Sequence, residues 1–266
     1  MTMTTTTATR HSAASVLRES VVFAGRSLRH SLRNPEALLL SVLLPVILML
    51  MFAFVFGGAM DTGATSYIEF VAPGVILTCA GYGASSTGVG VATDLHSGLM
   101  DRFRTMPIHA STVVTGHVVS SLVRNLVATA VVFAVAVTIG FRPAADAWEW
   151  IQVGAVIALY ILAITYLFAA IGLASGNPEA ANGYGFILLF LPYLSSGYVP
   201  ISTMPSWLQG VATYQPATPL IDSVRALLDG ATPGNSLPAA VAWCLGILLA
   251  AILWARWVFA RNAGRR

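Results

Sequence analysis

Charge is what this chain of 266 residues has least of: 9 % of its residues are Asp, Glu, Lys or Arg, against roughly a quarter in soluble domains. With 56 % hydrophobic residues, a water-soluble globule is excluded and a membrane protein is implied. Lysine is absent, all fourteen basic residues being arginine. A GxxxxGK[ST] loop is therefore ruled out, and ATP binding by that route with it. The two cysteines, Cys79 and Cys244, both lie in apolar runs, which speaks against a disulfide framework or metal cluster and for buried thiols. HExxH, CxxC and GxSxG are also missing. His96, His109 and His117 lack metal-ligand spacing on a shared helix with acids, so they read as solvated histidines beside a polar connection. Of the ionisable groups in the apolar runs only Glu69 and Arg124 come close to the midplane, which gives an ion-coupled transporter little to work with.

What is present is a series of apolar runs. Taking about twenty mostly apolar residues as the length of a span, six are expected: Ala37 to Gly57, Tyr67 to Ala92, Thr112 to Phe141, Ile151 to Ala174, Ala181 to Val199 and Leu237 to Val258. The expected fold class is thus an all-α membrane protein. The first run starts after Pro35 and is long enough to span, so it is expected to remain in the mature protein. Arginines sort the connections. Arg10, Arg18, Arg26, Arg29 and Arg33 precede the first run, Arg102 and Arg104 lie between the second and third, and Arg261, Arg265 and Arg266 follow the last. Arg142 and Arg225 fall on the other side. The positive-inside rule then places both termini in the cytoplasm. The net charge of +3 belongs to arginines flanking apolar runs, which suits lipid headgroups as partners and not nucleic acid.

Residues 1–13 are threonine-rich and aperiodic, and are expected to be a disordered tail. Along 14–34, Leu17, Val21, Ala24, Leu28 and Leu32 recur at helical spacing, with Arg18, Arg26, Arg29 and Arg33 on an adjacent stripe. This pattern predicts an interfacial helix, apolar face in lipid and guanidiniums at the phosphates. "RNPEALLL" and "GNPEAANG" share a helix-start grammar: Asn34 or Asn177 as cap, Pro35 or Pro178 at the first helical position, then Glu36 or Glu179. In the second run Gly81, Gly83, Gly88 and Gly90 alternate with Ala84, Ser85 and Ser86, so close helix contacts are expected there, within one subunit or between protomers. Arg124 is expected to snorkel to the inner headgroups. Between the fifth and sixth runs an apolar segment is broken by Gly197, Pro200, Pro205, Pro216 and Pro219. Two short helices are predicted there, one from Pro205 and one from Pro219, with Trp207 and Tyr214 at the outer interface.

"DLHSGLMDRFRTMPIHAS", Asp94 to Ser111, is the polar exception between the second and third runs. Leu95, Leu99, Phe103 and Met106 form one apolar stripe about three turns long, with Asp101, Arg102 and Arg104 elsewhere on the helix, Asp94 as N-cap and Pro107 as its end. A short amphipathic helix of this kind suits docking in a groove of a cytosolic partner.

Four stretches, "FVAPGVIL", "GVGVATDLHSGLMDRFRTMPIHAS", "GFRPAADA" and "SSGYVPISTMPSWLQGVATYQPATPLIDSVRALLDG", carry a resemblance to type-2 ABC transporter permeases of the daunorubicin-resistance branch. The resemblance covers nearly everything from the basic arm to the last run. It implies a six-span permease domain over 35–260 with a basic cytoplasmic tail at 261–266. The arm would be a connector helix, and the helix through Asp94, Leu95, Leu99, Arg102, Phe103, Arg104, Met106 and Pro107 would couple to an ATPase. The helix pair before the last span would be re-entrant. Two separate ATP-binding subunits carrying MgATP and a second permease protomer are the implied partners. No cofactor is expected in this chain, which would not itself be an enzyme. Relatives commonly place Arg-Glu before the glycine of the coupling segment, whereas this chain has His96 and Ser97 before Gly98, so an acidic contact to the ATPase would be lost or moved. The expected function is export of an amphipathic compound, antibiotic or envelope lipid, across a bacterial cytoplasmic membrane. Tyr82, Tyr184, Phe186 and Tyr198 are candidate substrate contacts. The alternatives are an ion-coupled secondary transporter and a non-transporting assembly protein.

Overall fold

A computed structural model describes residues 35–57, 66–97 and 110–263. The interfacial arm, with Arg18, Arg26, Arg29 and Arg33, lies outside the described residues. So do Leu99, Arg102, Phe103, Arg104, Met106 and Pro107 of the polar segment between the second and third runs. Among the described residues the regular structure is entirely helical.

Helix α1, Pro35–Leu50, starts on the proline that its sequence grammar singled out, and it continues as a π-helical turn over Met51–Phe56. Helix α2 is Tyr67–His96, α3 Ala110–Thr138 and α4 Ala147–Ser175. Helix α5, Pro178–Leu189, is followed by a 3₁₀ turn at Leu191–Leu194. Two short helices come next, α6 at Ser206–Tyr214 and α7 at Ala217–Leu228, before the long α8, Ser236–Ala263. Four of these, α2, α3, α4 and α8, are long and apolar enough to cross a membrane, so the protein is a multi-pass membrane protein.

Local chemistry explains where elements begin and end. The Asp146 carboxylate accepts the Glu149 N–H at 2.7 Å, while Glu149 accepts the Asp146 N–H at 2.7 Å, a reciprocal cap that opens α4. Gly176 closes α4 with φ 74, the left-handed conformation that costs glycine no Cβ clash. Asn177 Oδ1 then accepts the Ala180 N–H at 2.7 Å and Pro178 opens α5. The chain thus reverses within two residues, as the motif "GNPEA" predicts.

The fifth run does not continue as one helix to Val199. Pro192 has no N–H to give, and after Leu189 the chain tightens into the 3₁₀ turn. The second short helix starts at Ala217, two residues before the expected Pro219. Pro219 sits in its first turn, where backbone N–H groups have no intrahelical acceptor and a proline loses nothing.

Helix α2 is the hub, touching α1, α3, α4, α5 and α7. Of its most apolar stretch, 72 % is buried, against 17 % for α8. The glycines explain the approach: a Cβ on Gly172 of α4 would lie 2.2 Å from the Gly88 carbonyl of α2, and one on Gly74 would lie 2.8 Å from the Gly197 carbonyl. Backbone meets backbone at both places. The small residues of the second run therefore serve packing inside the subunit, and Gly90, with nothing within 4 Å, is the exception. Leu245, Leu249, Leu253 and Trp257 of α8 stay exposed, as a lipid-facing helix requires. Cys79 and Cys244 are buried and unbridged.

Candidate functional site

The polar segment of the sequence connects the end of α2 to the start of α3, and its two stems are the part of it that the structure describes. Asp94 does not cap a new helix. It lies in the last turns of α2, and its carboxylate accepts a hydrogen bond from His117 Nε2 of α3 at 2.8 Å. Both side chains are about three-quarters buried, so His117 is not the freely solvated histidine that its position in the chain suggests. Leu95 is half-buried and packs against a cluster containing Val91, Val118 and Ala255.

Further along, the same two helices are joined by small polar groups. Thr87 donates to Ser121 Oγ at 2.7 Å, and Asn125 Nδ2 donates to the same oxygen at 3.1 Å. All three residues are buried. One turn deeper, Asn125 lies against Gly83, where an added Cβ would fall 1.5 Å from its Oδ1. Arg124 donates to Ser86 Oγ at 2.7 Å and to the Gly83 carbonyl at 3.3 Å. The guanidinium therefore turns onto the neighbouring helix. Side-chain hydrogen bonds between membrane helices are worth ~0.6 kcal/mol each on average, but they fix register in a way that apolar contact does not.

The opposite end of α2 is organised around one arginine. Arg225 of α7 donates to Asp222 at 2.9 Å, to the Ser196 carbonyl at 2.7 Å, and through Nη2 and Nε to the Phe70 carbonyl at 3.0 and 3.3 Å. Its carbon Cζ sits 4.2 Å above the Phe70 ring, within cation–π range. Ser196 Oγ completes the node by donating to Asp222 at 2.6 Å. Near the end of α7, burial pushes the Asp229 carboxyl above its ordinary value, Arg225 pulls it down and Glu69 pushes it up again. Glu69 itself accepts the Ser66 N–H at 3.2 Å at the start of α2.

Aromatic rings link α5 to the π-helical turn of α1. Phe186 and Phe190 lie 5.0 Å apart, Phe190 and Tyr193 6.1 Å, Tyr193 and Tyr198 4.8 Å, Tyr198 and Phe52 4.8 Å, and Phe52 and Phe56 5.5 Å. Tyr198 is buried, its hydroxyl 2.7 Å from Thr78 Oγ1 and its carbonyl accepting from Tyr67 at 3.0 Å. The Tyr193 hydroxyl lies near those of Tyr82 and Tyr198. Three of the four candidate contacts, Tyr82, Phe186 and Tyr198, thus belong to one connected set, and Tyr184 stands on the exposed side of α5. Phe52, Phe190 and Tyr193 were not singled out by sequence reasoning. The i, i+4 spacing of Phe52 with Phe56 and of Phe186 with Phe190 was their one available signal.

Among the described residues this is an all-helical membrane domain with a buried hub helix, a polar segment of sequence between two of its spans and broken helices before the last one, which defines a polytopic membrane protein. The family model "ABC-2 type transporter" matches residues 19–228. Over 199 residues, 74 % of this chain and 70 % of the relative, it is 33 % identical to the "Daunorubicin resistance ABC transporter permease protein DrrB1" of Streptomyces coeruleorubidus. It is 22 % identical over 215 residues, 78 % of this chain and 75 % of the relative, to the "Probable doxorubicin resistance ABC transporter permease protein DrrC" of Mycobacterium tuberculosis. It is also 24 % identical over 220 residues, 80 % and 75 % of the two chains, to the "Putative transport permease ycf38" of Pyropia yezoensis. The chain belongs to the ABC-2 type transporter permeases, in their DrrB-like branch.

Proposed function

We propose that this chain is the transmembrane subunit of an ATP-driven exporter of an amphipathic, lipophilic compound. MgATP is bound and hydrolysed in separate partner subunits, and a second permease protomer completes the pathway. The observation that carries this reading is the family match, which runs unbroken through the cytoplasmic segment and both of its stems. Closure of the partner ATPases pushes on the segment from Leu95 to Met106, with Phe103 at the centre of its apolar stripe. The push shifts the balance between two packings of the permease. The mechanism draws on six spans, formed by α1 and α5 together with the four long helices. It also draws on an interfacial arm and on the α6–α7 pair dipping into the outer leaflet. Both termini lie in the cytoplasm of a bacterial cell. Exposed Trp207 and Tyr214 on α6 and Trp148 on α4 suit the outer interface. The connected rings from Phe186 to Phe56 offer a flat, amphipathic cargo stacking partners at both exposed ends.

The test is co-purification of an ATP-binding subunit with the full chain, followed by reconstitution in vesicles with doxorubicin as the probe cargo. Phe103→Asp is expected to leave membrane insertion and ATP hydrolysis in place and to abolish ATP-dependent doxorubicin movement. Transport that follows a proton gradient and ignores ATP overturns the reading.

A further inference from the structure

We infer that Asp94 and His117 are positioning residues that lock α2 to α3, so that the two stems of the cytoplasmic segment move as one lever. What the lever drives rests on the exporter reading above; the lock itself does not.

Helix α2 ends at His96 with Ser97 as its C-cap, and α3 is described from Ala110. Any force on the residues between is delivered to both stems at once. If the stems could slide past each other, that force would be spent on their relative displacement. Apolar contact alone would permit sliding, because it is non-directional. Here the contact is not apolar alone. The Asp94–His117 bond sits nearest the segment, the Thr87–Ser121–Asn125 bonds come next, and the Arg124 and Asn125 contacts with Gly83 and Ser86 come last. Gly83 and Asp94 are separated by about 16 Å along the axis of α2. Links at three depths hold slide, rotation and crossing angle together, whereas one link would hold only a pivot. The depth of each link also differs in kind. Thr87, Ser121 and Asn125 are buried and the Arg124–Ser86 bond lies at an exposed edge of the two helices, while Asp94 and His117 retain 27 % and 24 % side-chain exposure at the end where force arrives. This first link can be broken without opening the core.

The experiment uses the full chain in lipid nanodiscs, spin-labelled at Thr93→Cys and Val119→Cys, two exposed positions on the two stems. Distances are read by double electron–electron resonance for the chain alone, and for its complex with the ATP-binding subunit both nucleotide-free and trapped with ATP and vanadate. The expected result is one narrow distribution with the same peak in all three states. Asp94→Ala and His117→Ala should each broaden it, and the exchanged pair Asp94→His with His117→Asp should narrow it again. A role confined to folding predicts lower protein yield and no recovery on exchange. A nucleotide-dependent shift approaching a helical turn, about 5.4 Å, overturns the inference, as does a distribution indifferent to Asp94→Ala and His117→Ala. The unsubstituted stems compared across nucleotide states test the lock even if a variant fails to fold. Should no ATP-binding subunit associate, the exporter reading falls, while a narrow peak that broadens and recovers in the chain alone still upholds the lock.

Discussion

The two ends of α2 are tied down by opposite strategies. At its N-terminal end one residue, Arg225, carries an ion pair, three backbone hydrogen bonds and a ring contact, and so gathers α7, the Ser196 turn and α2 around a single guanidinium. Along its C-terminal half the work is divided among Asp94, His117, Thr87, Ser121, Asn125 and Arg124. The N-terminal end joins short, broken segments that have little helix of their own to hold them. The C-terminal half joins two long helices whose backbones are already satisfied, so side chains there have only to set alignment. A concentrated joint fails when one residue is lost; a distributed one yields by degrees.

The largest effect is expected where the joint is concentrated. Arg225→Ala would remove the donor from the Ser196 and Phe70 carbonyls and one of the two partners of Asp222, which is 40 % exposed and keeps the Ser196 hydroxyl, at a cost of about 3 kcal/mol in all. It should lower the apparent Tm in detergent and expose 195–230 to limited proteolysis. Arg225→Lys should recover little, since an ammonium cannot present a planar fork to three acceptors. If Arg225→Ala is as stable as the parent, the N-terminal end of α2 is not organised as described.

Glycine substitutions sharpen the comparison next. Gly172→Ala sets a methyl 2.2 Å from a backbone carbonyl that cannot step aside, while Gly83→Ala meets the end of the Asn125 side chain. Overpacking of about 1–3 kcal/mol is expected for Gly172→Ala. A smaller loss is expected for Gly83→Ala, relieved when Asn125→Ala is added. Thermal unfolding of the three variants in one detergent decides the order, and equal losses would mean that Asn125 is as immovable as the α2 backbone.

The smallest effect belongs to the distributed seam. Ser121→Ala removes the oxygen that Thr87 and Asn125 both use, yet about 1 kcal/mol is expected, within the range of single bonds between membrane helices. Unfolding in a graded denaturing detergent measures it. A loss as large as that of Arg225→Ala would show that the C-terminal half of α2 hinges on one atom after all.

Much of the architecture was legible beforehand because membrane folding writes itself in composition and helix punctuation. The start of α1 at Pro35, the Gly176–Asn177–Pro178 reversal and both short helices before α8 follow from residues adjacent in the chain. The break at Pro192 is also local chemistry, though the apolar run around it hides the proline. The site was less legible. His117 and Asp94 are 23 residues apart, and Arg225 and Phe70 are 155 apart. Nothing in the neighbourhood of any of them in the chain marks its partner.

By itself the sequence determined that this protein lives in a membrane, where its long helices fall, where they are punctuated and to which family the chain belongs, since each of these depends on the run of apolar residues or on motifs contiguous in the chain. Only the tertiary structure decided that α2 is the hub, that its glycines serve contacts inside the subunit, and that the scarce polar groups meet in two joints at its ends. The reason is physical: a buried polar side chain is satisfied by whichever helix packs beside it, and that neighbour is chosen by the whole fold.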